Sequence, residues 1–373
     1  MVRAADSNPK RGQSAPQAQA QSDQSSAGTL QRRSVRPGRS IAVTGANTFL
    51  GRNIIALLEE DDTVGRVVVI DVKSPTTAGK KCVFYDVDLT QPAVESRAAE
   101  ILHAENVDTL VHLAFTDNPT QATAWAHELE SVGTMHVLAA CRKHALRKLV
   151  VSSTVLVYGP HPQNPNFLME DQAMRGLHGV AFVDDKIDVE GQVRRYGDER
   201  PDCCVTVLRM AAVLGPTVDN YLARWLSRRF VPTVMGYDPL VQFVHEVDAV
   251  AALKLAVDRD AAGAFNIVGE GVLPISTVVK LAGRFGFPVP YLLLRRLAAL
   301  LWVAQMSEAP PAFVVALRYL CVADGARARA VLGFRPAYST RDAVLDFEGA
   351  LRLRESRLLR AQTAAVANGD GSK

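Results

Sequence analysis

Residues 40–51 read Ser-Ile-Ala-Val-Thr-Gly-Ala-Asn-Thr-Phe-Leu-Gly, and this stretch decides the fold. Its first five residues form a short apolar run that is typical of a buried parallel strand, and Gly45 ends the run. From Phe49 to Glu60 the apolar residues recur at helical spacing along one face. A buried strand joined to an amphipathic helix by a glycine turn favours an α/β protein.

The alternation of strand and helix continues along the chain. Further strands are predicted at Arg66–Asp71, Lys81–Tyr85, Thr109–Leu113, Lys148–Ser152 and Cys204–Leu208, with helices at about Ala122–His144 and Val180–Tyr196. This order predicts a Rossmann-type doubly wound parallel sheet. Beyond Pro216 the pattern loosens, and we predict a helix with Trp225, a strand at Val241–Val244, a helix from Asp248, a strand at Phe265–Val268 and then a small, mostly helical lobe.

Composition excludes several classes of protein. Of the 373 residues 48% are hydrophobic, which is enough for one large α/β domain with a small second lobe. The net charge of +3 comes mostly from basic residues before position 40, so no nucleic-acid-binding surface is indicated. The cysteine count is odd and no C-x-x-C pair occurs, which predicts reduced thiols in a cytoplasmic protein without a metal site.

The turn after the first strand is the place where a helix amino end can carry a pyrophosphate. Gly45 would allow the tight turn and Gly51 the close approach of helix and strand. The alternative is a strand-to-helix turn that binds no ligand. Thr48 is a departure, because a β-branched residue disfavours positive φ and adds bulk, so we expect a weaker site or a re-routed turn.

Asp71 ends the second predicted strand, where a carboxylate can accept hydrogen bonds from an adenosine ribose. A 2′-phosphate would be repelled there, so NAD is predicted in preference to NADP. Lys73 keeps the NADP alternative open, and taken alone Asp71 could also be a solvated acid at a strand end.

Together these motifs resemble the extended short-chain dehydrogenase/reductase family, in its NAD-dependent epimerase/dehydratase branch, over about residues 40–350. Its T-G-x-x-G-x-x-G turn corresponds to Thr44–Gly51, with Thr48 in place of the middle glycine. Further motifs match in family order at Asp88-Leu89, His112-Leu113-Ala114, Gly133-Thr134, Ser152–Gly159, Leu208–Pro216 and Val244–Asp248. The resemblance implies NAD contacts from Gly45, Asn47, Thr48, Phe49, Leu50, Gly51, Asp71, Asp88, Leu89, Leu113, Ala114 and Lys186.

The resemblance also implies a division of the chain. Residues 39–268 would form the NAD(P)-binding domain, and residues 269–360 the C-terminal substrate lobe, to which residues 216–240 would contribute. Residues 1–38 are rich in Gln, Ser, Ala and Arg and are expected to be disordered, and residues 361–373 to be a frayed tail. A homodimer through Ala122–His144 and Val180–Tyr196 is implied as well.

The catalytic position departs from the family. Its members carry Tyr-x-x-x-Lys on one helical face, the phenol exchanging a proton with the substrate while the lysine lowers its pKa. Here Lys186 is kept, Phe182 replaces the tyrosine, and Thr154 takes the place of the hydroxyl that holds the substrate oxygen. We therefore predict impaired proton transfer, with Tyr158 and His161 as the candidate substitutes.

Each of these residues also has an ordinary explanation. Phe182 could be core packing, Lys186 could pair with Glu190 on a wet face, and Thr154 could cap a strand end. Two functions stay open at this point. One is an oxidoreductase or epimerase with impaired proton transfer, and the other is a non-catalytic NAD-binding sensor or scaffold.

The substrate is predicted to be a small molecule and less polar than a nucleotide sugar. The residues after Leu208-Arg209 are apolar, Met210 to Val213, where sugar-nucleotide members of the family carry an asparagine. The stretch Val289–Gln305 is very apolar but too short to span a bilayer. It is predicted to be a buried lobe helix, with a lipophilic pocket wall or a membrane-surface helix as alternatives.

Overall fold

A computed structural model describes residues 38–76, 78–307 and 309–369, with side chains up to Ser356 in the last segment. The predicted disordered tail therefore lies outside the described residues, apart from Gly38. The strands are β1 Arg39–Thr44, β2 Val64–Asp71, β3 Cys82–Asp86, β4 Thr109–His112, β5 Lys148–Thr154, β6 Cys204–Met210, β7 Ala212–Leu214, β8 Phe230–Val234, β9 Leu240–Val241, β10 Phe243–His245, β11 Gly263–Ile267, β12 Leu273–Pro274 and β13 Phe285–Val289.

The helices lie between these strands. They are α1 Phe49–Glu60, α2 Val94–Ala104, α3 Thr123–His127, α4 Gly133–Lys143, α5 Ala181–Glu199, α6 Tyr221–Ser227, α7 Glu246–Asp258, α8 Ile275–Leu281, α9 Tyr291–Val303 and α10 Thr340–Gly369. The last of them continues past residue 361, where the frayed tail was predicted to begin. Short 3₁₀ segments cover Val155–Tyr158 and Pro311–Leu317, and π-helical turns cover Glu128–Val132 and Ala328–Leu332.

The central sheet is parallel and has the order β11-β6-β5-β4-β1-β2-β3 within the described residues. Thr44 at the end of β1 pairs with Ile70 of β2 and His112 of β4, so the three carboxyl ends coincide. The chain leaves β1 in one direction along the sheet for β2 and in the other for β4. Ligands of doubly wound proteins bind in the crevice at such a switch point.

Alternate residues of β1 point to opposite faces of the sheet and join two separate cores. Ile41 and Val43 pack with Ile54 of α1 on one face, whereas Ala42 packs with Leu102 of α2 on the other. Helices therefore cover both faces. The predicted doubly wound sheet and the largely helical C-terminal lobe are confirmed.

The lobe also contains strands that the pattern did not predict. β13 pairs in parallel with β8, and β12 pairs antiparallel with β9. β13 was missed because Pro288 and Gly286 are typical of a loop, and only pairing with the distant β8 makes the segment a strand. The strand predicted at Val241–Val244 is divided at Gln242, and its halves β9 and β10 pair with different partners.

A buried histidine ties the sheet to the helical layer. The Thr134 hydroxyl donates to the Glu130 carbonyl, so it accepts from Nε2–H of His112 at 2.9 Å, and Nδ1 then accepts from the Thr44 hydroxyl at 2.7 Å. Complete burial lowers the pKa of His112 from 6.5 to about 4. The imidazole is therefore neutral in the folded protein at neutral pH.

This histidine predicts a loss of stability in mild acid. The unfolded chain binds a proton at His112 with a pKa near 6.5, whereas the folded protein resists protonation down to about 4. His112 therefore makes its full contribution to the free energy of unfolding above pH 6.5. As the pH falls from there towards 4, the free energy of unfolding decreases by about 3 kcal/mol. Urea unfolding of the wild type and of His112→Gln across this range should show a clearly smaller pH slope for the variant. The exposed His161→Gln is the control and should keep the wild-type slope.

Candidate active site

The turn after β1 requires glycine at two positions. Gly45 has φ +70°, and a Cβ on it would collide with the Leu113 carbonyl at the end of β4. A Cβ on Gly51 would collide with the Gly45 carbonyl. Leu113 is buried directly beneath the turn and does not line the cleft above it. The two glycines therefore bring the amino end of α1 onto the carboxyl ends of β1 and β4.

Thr48 does not strain this turn, so the expectation of a re-routed backbone was wrong. Its φ is −68° and its ψ 165°, an extended conformation that any residue adopts. The hydroxyl donates to the Gly45 carbonyl at 2.8 Å and accepts from the Gly51 N–H at 3.0 Å. Thr48 is thus the N-cap of α1, a position that threonine favours.

A cleft of about 460 Å³ lies above the switch point of the sheet. Predicted cofactor residues that line it are Gly45, Asn47, Thr48, Asp71, Asp88, Leu89 and Ala114. The Asp88 carboxylate is held by Thr90, whose N–H and hydroxyl donate to it at 3.0 and 2.7 Å. Burial opposes ionisation of Asp88, but these hydrogen bonds lower its pKa. A bare glycine backbone, a helix amino end and a carboxylate at the end of β2 are a donor and acceptor set that fits a dinucleotide.

A second cavity of about 270 Å³ adjoins the cleft, and Phe115 and Asp117 line both. The predicted residues Phe49, Leu50, Thr154, Phe182 and Lys186 lie here. The walls are otherwise largely apolar, and the chain beyond Pro216 supplies Leu222, Trp225, Leu240, Val241, Phe243, Leu317 and Tyr319. The cavity therefore presents mostly apolar surface, with a few polar groups among its lining residues.

Phe182 and Lys186 lie one turn apart on α5 and face the same cavity. The Lys186 ammonium sits 4.1 Å from the centre of the Phe182 ring, within cation–π range. Phe182 packs in turn against Phe313 of the lobe, with ring centres 6.4 Å apart. Thr154 both lines the cavity and caps the 3₁₀ segment after β5 by accepting the Leu156 N–H.

Glu130 is a site residue that the sequence analysis missed. Its carboxylate receives the Lys186 ammonium at 2.9 and 3.2 Å, and the two side chains are only 1% and 9% exposed. The Thr116 N–H donates to the same carboxylate at 2.8 Å. The predicted alternative partner, Glu190, instead pairs with Arg209 at 2.7 Å, so that suggestion was wrong.

The π-helical turn Glu128–Val132 explains why Glu130 was missed. A continuous helix was predicted over this segment, and an acid in it was treated as an ordinary helical residue. A π turn contains one more residue than an α turn, which changes where the side chains point, and such turns are frequent at functional sites. The available signal was an acid three residues before Gly133, within the apolar pattern of the helix.

Asp117 is the second missed residue, and it lies where the cleft and the cavity meet. It accepts the Phe49 N–H, the first of α1, through a long hydrogen bond of 3.5 Å. The carboxylate keeps access to solvent, yet the protein packed around it raises its pKa. Its signal was an acid shortly after the carboxyl end of β4, the edge at which parallel sheets bind ligands.

The sequence of the chain matches a known protein family. The model of the NAD dependent epimerase/dehydratase family matches residues 41–268. The chain belongs to that family. The resemblance of its motifs is thereby confirmed.

Relatives of this epimerase/dehydratase-family protein cover most of the chain. An uncharacterized protein of Mycobacterium tuberculosis is 34% identical over 314 residues, 82% of each chain. A 3-diazoavenalumate denitrifying reductase from a Streptomyces species is 26% identical over 79% of this chain and 92% of its own. The fold matches that of UDP-glucose 4-epimerase from Thermotoga maritima at a TM-score of 0.63 and 19% identity, covering 84% and 99% of the two chains.

Neither predicted substitute for the phenol reaches the cavity of this family member. Tyr158 is 1% exposed, and its hydroxyl donates to Asn266 at 2.7 Å and accepts from Arg209 at 2.8 Å. Burial raises its pKa, which opposes proton transfer. His161 is exposed on a loop and does not line the cavity. Both suggestions were therefore wrong. The 3₁₀ segment turns Tyr158 into the core, and the loop holds His161 away from the cavity.

Proposed function

We propose that the protein is an NAD-dependent oxidoreductase acting on a small, apolar alcohol or ketone, with slow proton transfer. One observation carries the proposal. A cleft at the switch point of the sheet adjoins an apolar cavity that holds Thr154 and Lys186 but presents Phe182 one turn before the lysine.

The choice of NAD rests on Asp71, which lines the cleft at the end of β2. Its carboxylate can accept hydrogen bonds from a ribose and would repel a 2′-phosphate. Solved structures of the same fold support this choice, because MoeE5 and the Thermus thermophilus UDP-glucose 4-epimerase were each determined with NAD. Bound there, NAD would accept a hydride from an alcohol, and its reduced form NADH would donate a hydride to a ketone.

The apolar substrate class follows from the cavity walls and from Asp117. A diphosphate-bearing substrate, such as the UDP-glucose of the Thermotoga enzyme, would bring negative charge close to this carboxylate. A relative from Vaccinia virus is a 3 beta-hydroxysteroid dehydrogenase/Delta 5-->4-isomerase, 30% identical over 142 residues. That name supports an alcohol or ketone on an apolar skeleton as the substrate class.

The residues of this chain can orient such a substrate better than they can protonate it. Thr154 can donate a hydrogen bond to a substrate oxygen, and Lys186 supplies positive charge nearby. Phe182 carries no exchangeable proton. Because general acid–base catalysis contributes about 10²–10⁴-fold, turnover should be slow by a comparable factor.

A second candidate function is a non-catalytic NAD-binding sensor or scaffold. It is favoured by the state of Lys186, whose ammonium is covered by the Phe182 ring and neutralised by Glu130. In this alternative the cleft binds NAD, and no substrate is converted in the cavity. A homodimer through the segments Ala122–His144 and Val180–Tyr196 is compatible with both functions and stays a prediction.

Cofactor binding is the premise that both functions share, and Asp71 tests it. We expect the wild type to bind NADH more tightly than NADPH. Asp71→Ala should weaken NADH binding by about 10–100-fold, the worth of a hydrogen bond to a charged group. The same substitution should bring the affinities for NADH and NADPH closer to each other. Calorimetry and nicotinamide fluorescence measure both effects.

The matched control is Asp62→Ala, which removes an exposed acid outside the cleft and should leave both affinities unchanged. If the wild type binds neither cofactor at millimolar concentration, both proposed functions fail. Equal affinities of wild type and Asp71→Ala would instead remove Asp71 from the cofactor site.

A further inference from the structure

Helix α9 has apolar residues on all sides and is nevertheless largely exposed. Leu294 is buried against Val234, Val289 and Val314, so one side of the helix packs on the lobe. Other positions around the helix carry Leu292, Leu293, Leu297, Leu300 and Val303, which are 46–80% exposed. The prediction of a buried lobe helix therefore holds for one side of the helix only.

More apolar side chains are exposed on the strands that precede and support this helix. Phe230 of β8 and Phe285 of β13 have ring centres 6.0 Å apart, and both are more than 60% exposed. Phe287 is exposed next to them on β13, which leads into α9 through Pro290. We define the apolar face as Phe230, Phe285, Phe287, Leu292, Leu293, Leu297, Leu300, Val303 and Met306. The strand β8 contacts both β13 and α9, and exposed apolar side chains in this number on adjoining elements indicate an interaction site.

The charge around the apolar face is positive. No acidic residue occurs in the sequence between Gly271 and Ser307, a stretch that contains Lys280, Arg284, Arg295 and Arg296. Arg228 and Arg229 directly precede Phe230 and are exposed. Arg284 is paired with Glu355 at 2.8 Å, whereas Arg295 and Arg296 lie exposed on α9 itself. A partner of this face must therefore offer anionic groups beside an apolar interior.

We propose that the apolar face docks on the surface of an anionic lipid bilayer, with its leucines and phenylalanines in the interface and its arginines at the lipid phosphates. Among the described residues no helix is long and apolar enough to cross a membrane, so α9 lies in the interface. A second copy fits less well, because its matching face carries the same arginines and, within Gly271–Ser307, no acidic residue to pair with them. Acidic lipids complement them instead.

Docking would place the lipid next to the substrate lobe. α9 packs against the 3₁₀ segment Pro311–Leu317, and Ala316 and Leu317 of that segment line the cavity. At its other end α9 is tied to the loop after Asp117, because Gln121 donates to the Trp302 carbonyl. An apolar substrate dissolved in the bilayer would then reach the cavity from the membrane side. Only this last step depends on the proposed function.

The test is sedimentation of the full-length protein with vesicles in the absence of NAD, so that its result does not depend on cofactor or catalysis. We expect partitioning onto mixed phosphatidylserine and phosphatidylcholine vesicles to exceed that onto pure phosphatidylcholine by about tenfold at low salt, and the difference to shrink at high salt. Leu293→Ser/Leu297→Ser/Leu300→Ser should abolish partitioning at either salt concentration. Arg295→Gln/Arg296→Gln should lower only the binding that depends on acidic lipid.

Met169→Ser/Val331→Ser is the matched control, since it removes exposed apolar side chains outside the apolar face. It should bind vesicles as the wild type does. Circular dichroism and urea unfolding establish that each variant is folded. The proposal is overturned if the wild type does not sediment with acidic vesicles. It is also overturned if sedimentation equilibrium shows self-association that the leucine variant abolishes while vesicle binding stays unchanged.

Discussion

Phe182→Tyr should raise the rate of NADH-dependent reduction of small apolar ketones by about 10²–10⁴-fold, the usual contribution of a general acid. The new phenol would lie one helical turn before Lys186 and face the cavity that also holds Thr154. The ammonium already sits 4.1 Å from the ring, so it can lower the pKa of the phenol. The measurement is kcat/KM over a panel of apolar ketones and secondary alcohols.

Phe182→Leu is the control for this experiment, because it removes the ring and adds no exchangeable proton. It should leave turnover at the wild-type level. If the wild type is already as fast as Phe182→Tyr, another group supplies the proton and the description of Phe182 as a loss is wrong. If neither protein turns over although both bind NADH, the non-catalytic candidate is favoured.

The Glu130–Lys186 ion pair should give the largest effect on stability. Both side chains are buried, so removing one partner leaves the other as an uncompensated charge. Glu130→Gln and Lys186→Met should each lower the free energy of unfolding by about 3–5 kcal/mol. The double variant should lose far less than the sum, because it leaves neither charge in the interior.

Urea unfolding of the four proteins gives the coupling energy directly. Lys143→Gln is the comparison, since it breaks an exposed ion pair with Glu95 of similar length and should cost less than about 1 kcal/mol. If the loss in the double variant equals the sum of the two single losses, Glu130 and Lys186 do not stabilise each other. Such a result would mean that solvent entering the cavity screens the two charges.

The sheet was predictable because its strands are short apolar runs buried on both faces, as at Ile41–Val43 and Val67–Ile70. Helix α1 was predicted at its observed ends, because its apolar spacing is regular. β13 was not predictable, since its strand character depends on pairing with β8, which lies 55 positions earlier at each register pair. Local pattern carries no information on such a partner.

The site divides in the same way. Residues of the glycine turn and the end of β2 could be placed in advance, because their positions follow from one β-α-β unit. Glu130 and Asp117 were missed, because the local signal of each is weak and its partner lies far away in sequence, Lys186 and Phe49 respectively. The re-routed turn considered at Thr48 was wrong, because residue type suggests, but does not determine, the backbone conformation.

The position of Asp117 makes this carboxylate a competitor for the cofactor. Its oxygen accepts the first N–H of α1, at the helix end where a dinucleotide pyrophosphate binds. Two anions cannot share that place, so binding requires the carboxylate to leave or to take up a proton. The protein packed around the Asp117 carboxylate raises its pKa. Cofactor loading would then be coupled to the displacement or neutralisation of this one side chain.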